Sequence, residues 1–189
     1  MINHKYEFIF IHQPRTGGTS IEKCFIDNAD KVDVEYKHHH VWFYFENLRE
    51  YFDDYFKFSF IRNPWDRLVS AYYYFKTDFN FTFEEFIEKI GNKEPLLGTI
   101  TYRDYAIKSS FDKIQIKENI VVDFIGRFEK LQEDFDYVCE QIGVKSIKLP
   151  HVKKTEHKHY TEYYNDEMVK IVEDVYISDI TRFDYKFGE

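Results

Sequence analysis

"FIHQPRTGGTSIEKCF", residues 10–25, decides how the chain around it must fold. An apolar run stops at Gln13-Pro14, a polar bend with two glycines follows, and an amphipathic stretch begins at Ser20. Strand, tight loop and helix are the expected order. In an open α/β sheet such a loop sits at the carboxyl end of a strand, where ligands bind. Gly17 and Gly18 let the backbone come close to an anion, and the amides at the helix start supply positive potential. Arg15, Thr16, Thr19 and Ser20 add donors. On these residues alone, an anion-binding loop and a plain strand-to-helix turn stand about equal. A Walker loop needs Gly-Lys-Ser/Thr at its end, but here Gly18 is followed by Thr19, so ATP or GTP hydrolysis is the weaker idea.

The rest of the chain narrows the classes. Its 189 residues suit one domain with a full core, and 43% hydrophobic content argues for a folded chain. Aromatics reach 20%, with 20 Phe and 16 Tyr, and core packing is their default use. A net charge of −8 argues against a nucleic-acid binder and requires any anionic ligand to find a local basic pocket. Two cysteines, Cys24 and Cys139, make no disulfide framework and fit a reducing compartment. There is no signal-peptide pattern, and no apolar run approaches the roughly 18 residues of a membrane span. A cytoplasmic protein with no membrane contact is the expectation.

No repeat or linker divides the sequence, so residues 1–189 are expected to form a single domain. Residues 6–12 read as a buried strand and 20–28 as a helix, with Thr19 or Ser20 near its N-cap. Residues 31–36 alternate as a second strand. Apolar residues at 41, 44, 45, 48, 51 and 52 predict one helix over 41–52. "YFKFSFIR" (55–62) alternates as a strand. Residues 63–76 open with Asn63 as N-cap, Pro64 at the first helical position and Asp66 in the first turn. Thr82 and Glu85 form a capping box for a helix ending at Gly91. Residues 92–117 carry no clear pattern. Residues 119–129 read as a buried strand, and Leu131, Phe135, Val138 and Ile142 mark the next helix. A basic loop spans 145–160 and a last helix runs from about 166 to 180. Alternating strands and helices predict an α/β fold with a mainly parallel central sheet flanked by helices in three layers.

"RNPWDRLVSAY" (62–72) places Arg62 at a strand end and Ser70 two turns into the following helix, a pair able to clamp one anionic group. For an isolated Arg or Ser, salt bridges and back-bonding within the helix are the ordinary uses, and Arg67 falls under the same reading. Together with "PRTGGTS" (14–20), the segment resembles the carbohydrate sulfotransferases that use 3′-phosphoadenosine 5′-phosphosulfate. The resemblance implies a P-loop-like sulfotransferase fold. It places Arg15, Thr16, Gly17, Gly18, Thr19 and Ser20 at the 5′-phosphosulfate, and Arg62 and Ser70 at the 3′-phosphate.

Two further stretches extend the likeness. "YKHHHVWFYF" (36–45) is similar to the part of heparan sulfate 2-O-sulfotransferase that holds its catalytic histidines, which implies His40 as the base and His38 as its companion. "PHVKKTEHK" (150–158) is similar to a segment of that enzyme and implies nucleotide contacts by Thr155 and Lys158 and substrate contact by Lys153. "GRFEKLQEDF" and the tail from Tyr163 look like the wider group. Arg15 departs from the family's lysine, keeping the charge but not its point geometry. Lys153 departs from an arginine, losing bidentate carboxylate recognition.

His38, His39 and His40 precede an amphipathic helix. If 36–40 is extended, His38 and His40 share a side and His39 points away. Histidine suits a base near neutral pH. An exposed turn and a metal pair are the other readings of the run; zinc would want more ligands than this stretch supplies. The expected reaction is sulfuryl transfer from the nucleotide to a hydroxyl, on a carbohydrate acceptor, without a metal, leaving adenosine 3′,5′-bisphosphate. A P-loop nucleotide kinase and a non-catalytic nucleotide- or glycan-binding module are the alternatives.

Overall fold

The computed structural model describes residues 1–26, 32–33, 38–99, 102–150, 152 and 157–189. In chain order, the first half forms β1 (Ile2–Asn3), β2 (Phe8–Ile11), α1 (Gly18–Ile26), β3 (Val32–Asp33), α2 (Val41–Asn47), α3 (Arg49–Phe52), β4 (Phe56–Ile61), α4 (Pro64–Phe75) and α5 (Phe83–Gly91). The second half forms α6 (Tyr102–Ala106), α7 (Phe111–Ile114), β5 (Gln115–Ile116), β6 (Asn119–Ile120), β7 (Phe124–Arg127), α8 (Leu131–Gln141), α9 (Asp166–Val175) and α10 (Ile177–Phe183). Two compact units divide these elements: Met1–Ile61 with Ser110–Lys153, and Arg62–Ser109 with Lys154–Glu189.

The first unit holds a five-stranded sheet in the order β3-β1-β2-β4-β7. Strands β2, β4 and β7 run parallel, while β1 is antiparallel to both β2 and β3. The apolar run of β2 is buried along its whole length, as a parallel strand covered on both faces requires. In β4 the alternation puts Phe58 and Phe60 on one face and Ser59 and Ile61 on the other. Phe8 and Phe10 join Phe58 and Phe60 in one core with Ile21, Cys24 and Phe25 of α1 and Phe135, Val138 and Cys139 of α8. The rings of Phe10 and Phe58, opposite each other in register, stack at 4.9 Å. Each such buried phenylalanine contributes about 1.5–3 kcal/mol relative to exposure. Gly126 lies opposite Phe60, whose ring fills the place of a β-carbon. Burial also pushes the Cys139 thiol up to about 11, with a hydrogen bond to Ser146 acting the other way.

Several boundaries differ from the sequence reading. Helix α1 starts at Gly18, because the Gly17 carbonyl accepts from the amides of Ser20 (2.9 Å) and Ile21 (3.4 Å); Thr19 and Ser20 lie inside the first turn instead of capping it. The helix expected over 41–52 breaks at Leu48, whose ψ of 41° turns the chain after its amide has closed α2 on the Tyr44 carbonyl. The strand expected over 119–129 splits, because β6 pairs antiparallel with β5 in a separate two-stranded sheet while β7 joins β4, and Asp123 stands just before β7. Its carboxylate accepts from the Lys57 amide (2.7 Å) while its own amide donates to the Lys57 carbonyl (2.7 Å). Of the strand expected over 31–36, Val32 and Asp33 form β3; the others lie outside the described residues.

The second unit is helical. Asn63 caps α4 by accepting from the amides of Trp65 and Asp66, with Pro64 at the first helical position. Thr82 and Glu85 form the expected capping box of α5, and the Thr82 amide and hydroxyl hold the Glu85 carboxyl below its usual value. Gly91 is the last residue of α5 rather than a position beyond it, and the Ile171 side chain fills the place of its missing β-carbon. The helix expected over 166–180 is interrupted at Tyr176 and continues as α10 to Phe183.

Candidate active site

The loop after β2 is built around a buried imidazole. Period-2 alternation puts His12 on the same face as Phe8 and Phe10, against α1. Its ring stacks on Phe10 (5.5 Å, 8°), and its Nδ1 lies 2.5 Å from Glu22 Oε1 of α1. Gln13 is also buried; its amide donates to Ser59 Oγ (3.0 Å), and Ser59 donates to the Ile11 carbonyl (2.8 Å). Thr16 is fully buried and its hydroxyl donates to the Gln13 carbonyl at 2.9 Å, so this side chain serves the loop itself. Arg15 and Gly17 both adopt left-handed backbone, φ 66° and 80°, which turns the chain sharply before α1.

The two glycines are needed for a reason the sequence does not reveal. A β-carbon on Gly18 would lie 2.2 Å from His12 Cδ2, and one on Gly17 would lie 2.6 Å from Leu131 Cδ2. The protein itself fills both spaces. Gly18→Ala is therefore expected to cost about 1–3 kcal/mol, the usual range for overpacking, because the His12 ring is pinned between Phe10 and Glu22. Urea unfolding of the variant against the parent checks this; equal midpoints would mean the ring yields.

The histidine run does not form the alternating strand expected of it. His38 has φ 66°, so the side chains of 38 and 40 do not follow a strand's alternation. The His38 ring lies 4.3 Å from that of His12, and its Nδ1 donates to the His12 carbonyl (3.3 Å). His39 stacks on Phe43 at 4.0 Å. His40 occupies the N-cap position of α2 without a side-chain cap bond, and its Nδ1 donates to the Asp112 carbonyl (3.3 Å). A carbonyl oxygen only accepts, so both His38 and His40 carry their proton on Nδ1. When neutral, each ring then has its lone pair on Nε2, the arrangement a general base needs. Among the described residues, no group of three or more His, Cys, Asp or Glu could hold a metal ion.

In the second unit, Arg62 follows directly on β4 and is mostly buried, with Nε donating to Asp66 Oδ2 at 2.7 Å. Ser70 is buried on α4. Arg67 is a strut: its Nη2 donates to the carbonyls of Lys108 (2.8 Å) and Ile107 (3.4 Å), and Asp179 Oδ2 lies 3.9 Å away. The phenol of Tyr176 donates to the same Ile107 carbonyl. The ordinary reading of Arg67 is thus the observed one.

Lys158 is exposed; its amide donates to the Tyr163 hydroxyl (2.9 Å) and its Nζ pairs with Glu162 (3.4 Å). Tyr163 in turn packs against Tyr73 of α4, whose hydroxyl burial and the Tyr163 hydrogen bond push up to about 12. Ser20 accepts from the amide of Val152 at 3.4 Å, so the basic segment meets the first turn of α1. Lys153 and Thr155 lie outside the described residues.

The sequence did not single out Glu22 or Asp112, and it marked Asp66 only as a helix-start acid. Glu22 flanks the apolar face of α1 and reads as a solvated charge; only its distance from His12 in the fold gives it meaning. Asp66 was legible as a first-turn acid but not as the partner of Arg62. Asp112 acts through its main chain, which no side-chain pattern records.

Residues 1–186 match the family model described as "Sulfotransferase family", and the chain belongs to that family. Sulfuryl transfer from a sulfate donor to an acceptor is the general chemistry that membership brings. An uncharacterized protein of Archaeoglobus fulgidus is 33% identical over 99 residues, covering 51% of this chain and 74% of that protein. Among solved structures, a sulfotransferase from Alicyclobacillus acidocaldarius covers 94% of this chain and 78% of its own at 18% identity, with a TM-score of 0.48. No helix among the described residues is long and apolar enough to cross a membrane.

Proposed function

We propose that residues 1–189 act as one domain that moves a sulfuryl group from 3′-phosphoadenosine 5′-phosphosulfate to a hydroxyl of a carbohydrate. In this reading the amides of residues 16–20 and the Arg15 guanidinium receive the 5′-phosphosulfate. Arg62 and Ser70 hold the 3′-phosphate, Thr155 and Lys158 add nucleotide contacts, and Lys153 reaches the acceptor. His40 Nε2 takes the acceptor's proton as its oxygen attacks sulfur, with His38 beside it as companion. The bond from sulfur to the 5′-phosphate oxygen breaks as the new one forms, and adenosine 3′,5′-bisphosphate leaves. In this reading Arg15 and the amides of residues 16–20 meet the charge growing on the leaving phosphate, as donors do in phosphoryl transfer. No step needs a metal.

One observation carries this reading. The "PRTGGTS" loop follows β2 and "RNPWDRLVS" follows β4, and β2 and β4 are paired neighbours in parallel. Both motifs therefore begin at carboxyl ends of adjacent strands, where open α/β sheets bind their ligands. The donor set also suits a bisphosphorylated nucleotide: left-handed backbone at 15 and 17, a helix start at 18, and a guanidinium at 62.

Thermal-shift titration separates this reading from the others. Stabilisation by adenosine 3′,5′-bisphosphate and not by ATP with magnesium is expected. Stabilisation by ATP with magnesium alone would assign a kinase. Stabilisation by the bisphosphate, with no labelled sulfate transferred across a glycan panel, would assign a binding module.

A further inference from the structure

The buried His12–Glu22 pair has no part in the scheme above, yet it occupies the ground beneath it. The glutamate side chain is 4% exposed and the histidine 3%. Packing alone does not call for them. An apolar residue at 12 would continue the β2 run, and one at 22 would extend the apolar face of α1. Taking a carboxylate out of water costs several kcal/mol before its partner offsets it, and apolar replacements of buried pairs are often neutral or stabilising. The pair persists where a cheaper solution exists.

Its geometry indicates what it does. The carboxylate accepts at Nδ1, which fixes the ring's rotation about χ2. Phe10 stacks on one side of the ring, and Gly18 abuts the Cδ2–Nε2 edge. His38 completes the enclosure, touching the ring at 4.3 Å and donating from Nδ1 to the His12 carbonyl. We propose that Glu22 and His12 are a positioning pair: the carboxylate orients the His12 ring, and the ring and carbonyl of His12 orient the imidazole of His38. The left-handed backbone of His38 aims this side chain away from the alternation an extended strand would impose, and His12 meets it there. His12 follows directly on the strand that delivers the anion loop. The His38 imidazole is thereby indexed to the loop rather than to the helix that follows it.

The functional part of this proposal rests on the reading of His38 as companion to the base; its structural part does not. The test uses the full chain and the double variant H12L/E22L, which keeps apolar volume and removes the ion pair. Long-range ¹H–¹⁵N spectra of protein labelled at histidine nitrogens report the His38 tautomer. The parent is expected to show a single Nδ1–H form, and H12L/E22L a mixture, with the remaining amide spectrum preserved. Sulfuryl transfer is expected to lose about tenfold or more in kcat, as misplaced groups do, with bisphosphate affinity unchanged. An unchanged His38 signature in the double variant overturns the proposal, as does full kcat. If H12L/E22L does not fold, E22Q, which keeps shape and removes the charge, is read by the same spectra with the same two outcomes. If the parent binds no bisphosphate and transfers no sulfate, the nucleotide reading fails while the tautomer measurement still judges the pair.

Discussion

Replacing His40 with alanine is expected to lower the rate of sulfuryl transfer by about 10²–10⁴-fold, the range general bases contribute, while adenosine 3′,5′-bisphosphate binds as before. The fold should survive. Although His40 stands at the N-cap of α2, its side chain makes no cap bond there, so α2 loses little in the alanine variant. What disappears is an imidazole whose Nδ1 is committed to the Asp112 carbonyl and whose Nε2 lone pair is therefore fixed in identity. Loss in kcat with unaltered nucleotide affinity is the signature of a group used in the transition state alone. Single-turnover transfer to a glycan acceptor measures it. Turnover near that of the parent would remove His40 from the mechanism and shift attention to His38.

The second large effect concerns binding. Arg62→Ala is expected to weaken adenosine 3′,5′-bisphosphate by about 2–5 kcal/mol, the cost of truncating one member of a buried charged contact. Isothermal calorimetry reads this as roughly 30-fold or more in Kd, at about 1.4 kcal/mol per tenfold. Asp66 is left without its 2.7 Å partner, but it sits in the first turn of α4, where the helix N-terminus favours a carboxylate. The unit should therefore remain folded. Arg62→Lys should recover only part of the affinity, because an ammonium does not reproduce the guanidinium fork. Unchanged affinity in Arg62→Ala would place the 3′-phosphate elsewhere on the chain.

The sequence made the sheet legible wherever one residue in two had to face a core. The Phe-Lys-Phe-Ser-Phe alternation of β4 and the unbroken apolar run of β2 each had a single sensible reading. The caps at Asn63 and Thr82 were equally plain, because their hydrogen bonds are local. Breaks were not legible. Leu48 and Tyr176 are ordinary helical residues, and the chain turns there for tertiary reasons that no local preference opposes. The same holds at the site. Residues 14–20 and 62–70 stood out through their joint resemblance to the sulfotransferase motifs rather than by local pattern, and the His38 conformation depends on a positive φ that only the fold imposes. Glu22 could not be separated from a surface charge, since its meaning lies in a partner ten residues earlier. Gly17 and Gly18 read as room for an anion, and the fold adds a second demand that spacing does not record, since Leu131 and His12 pack where their β-carbons would lie.

The two tryptophans fall one to each compact unit. Trp42, on α2, is 44% exposed and stacks on Phe45, while Trp65, on α4, is 1% exposed and donates its indole N–H to the Val169 carbonyl. Intrinsic fluorescence is thus already partitioned by the fold, with a solvated emitter reporting the sheet and a sheltered emitter reporting the helical unit. Trp42→Phe leaves Trp65 as sole reporter, and the reverse replacement isolates the other signal. Denaturation followed at each emitter then tells whether the halves melt in one cooperative step, since coincident transitions by independent probes define two-state behaviour.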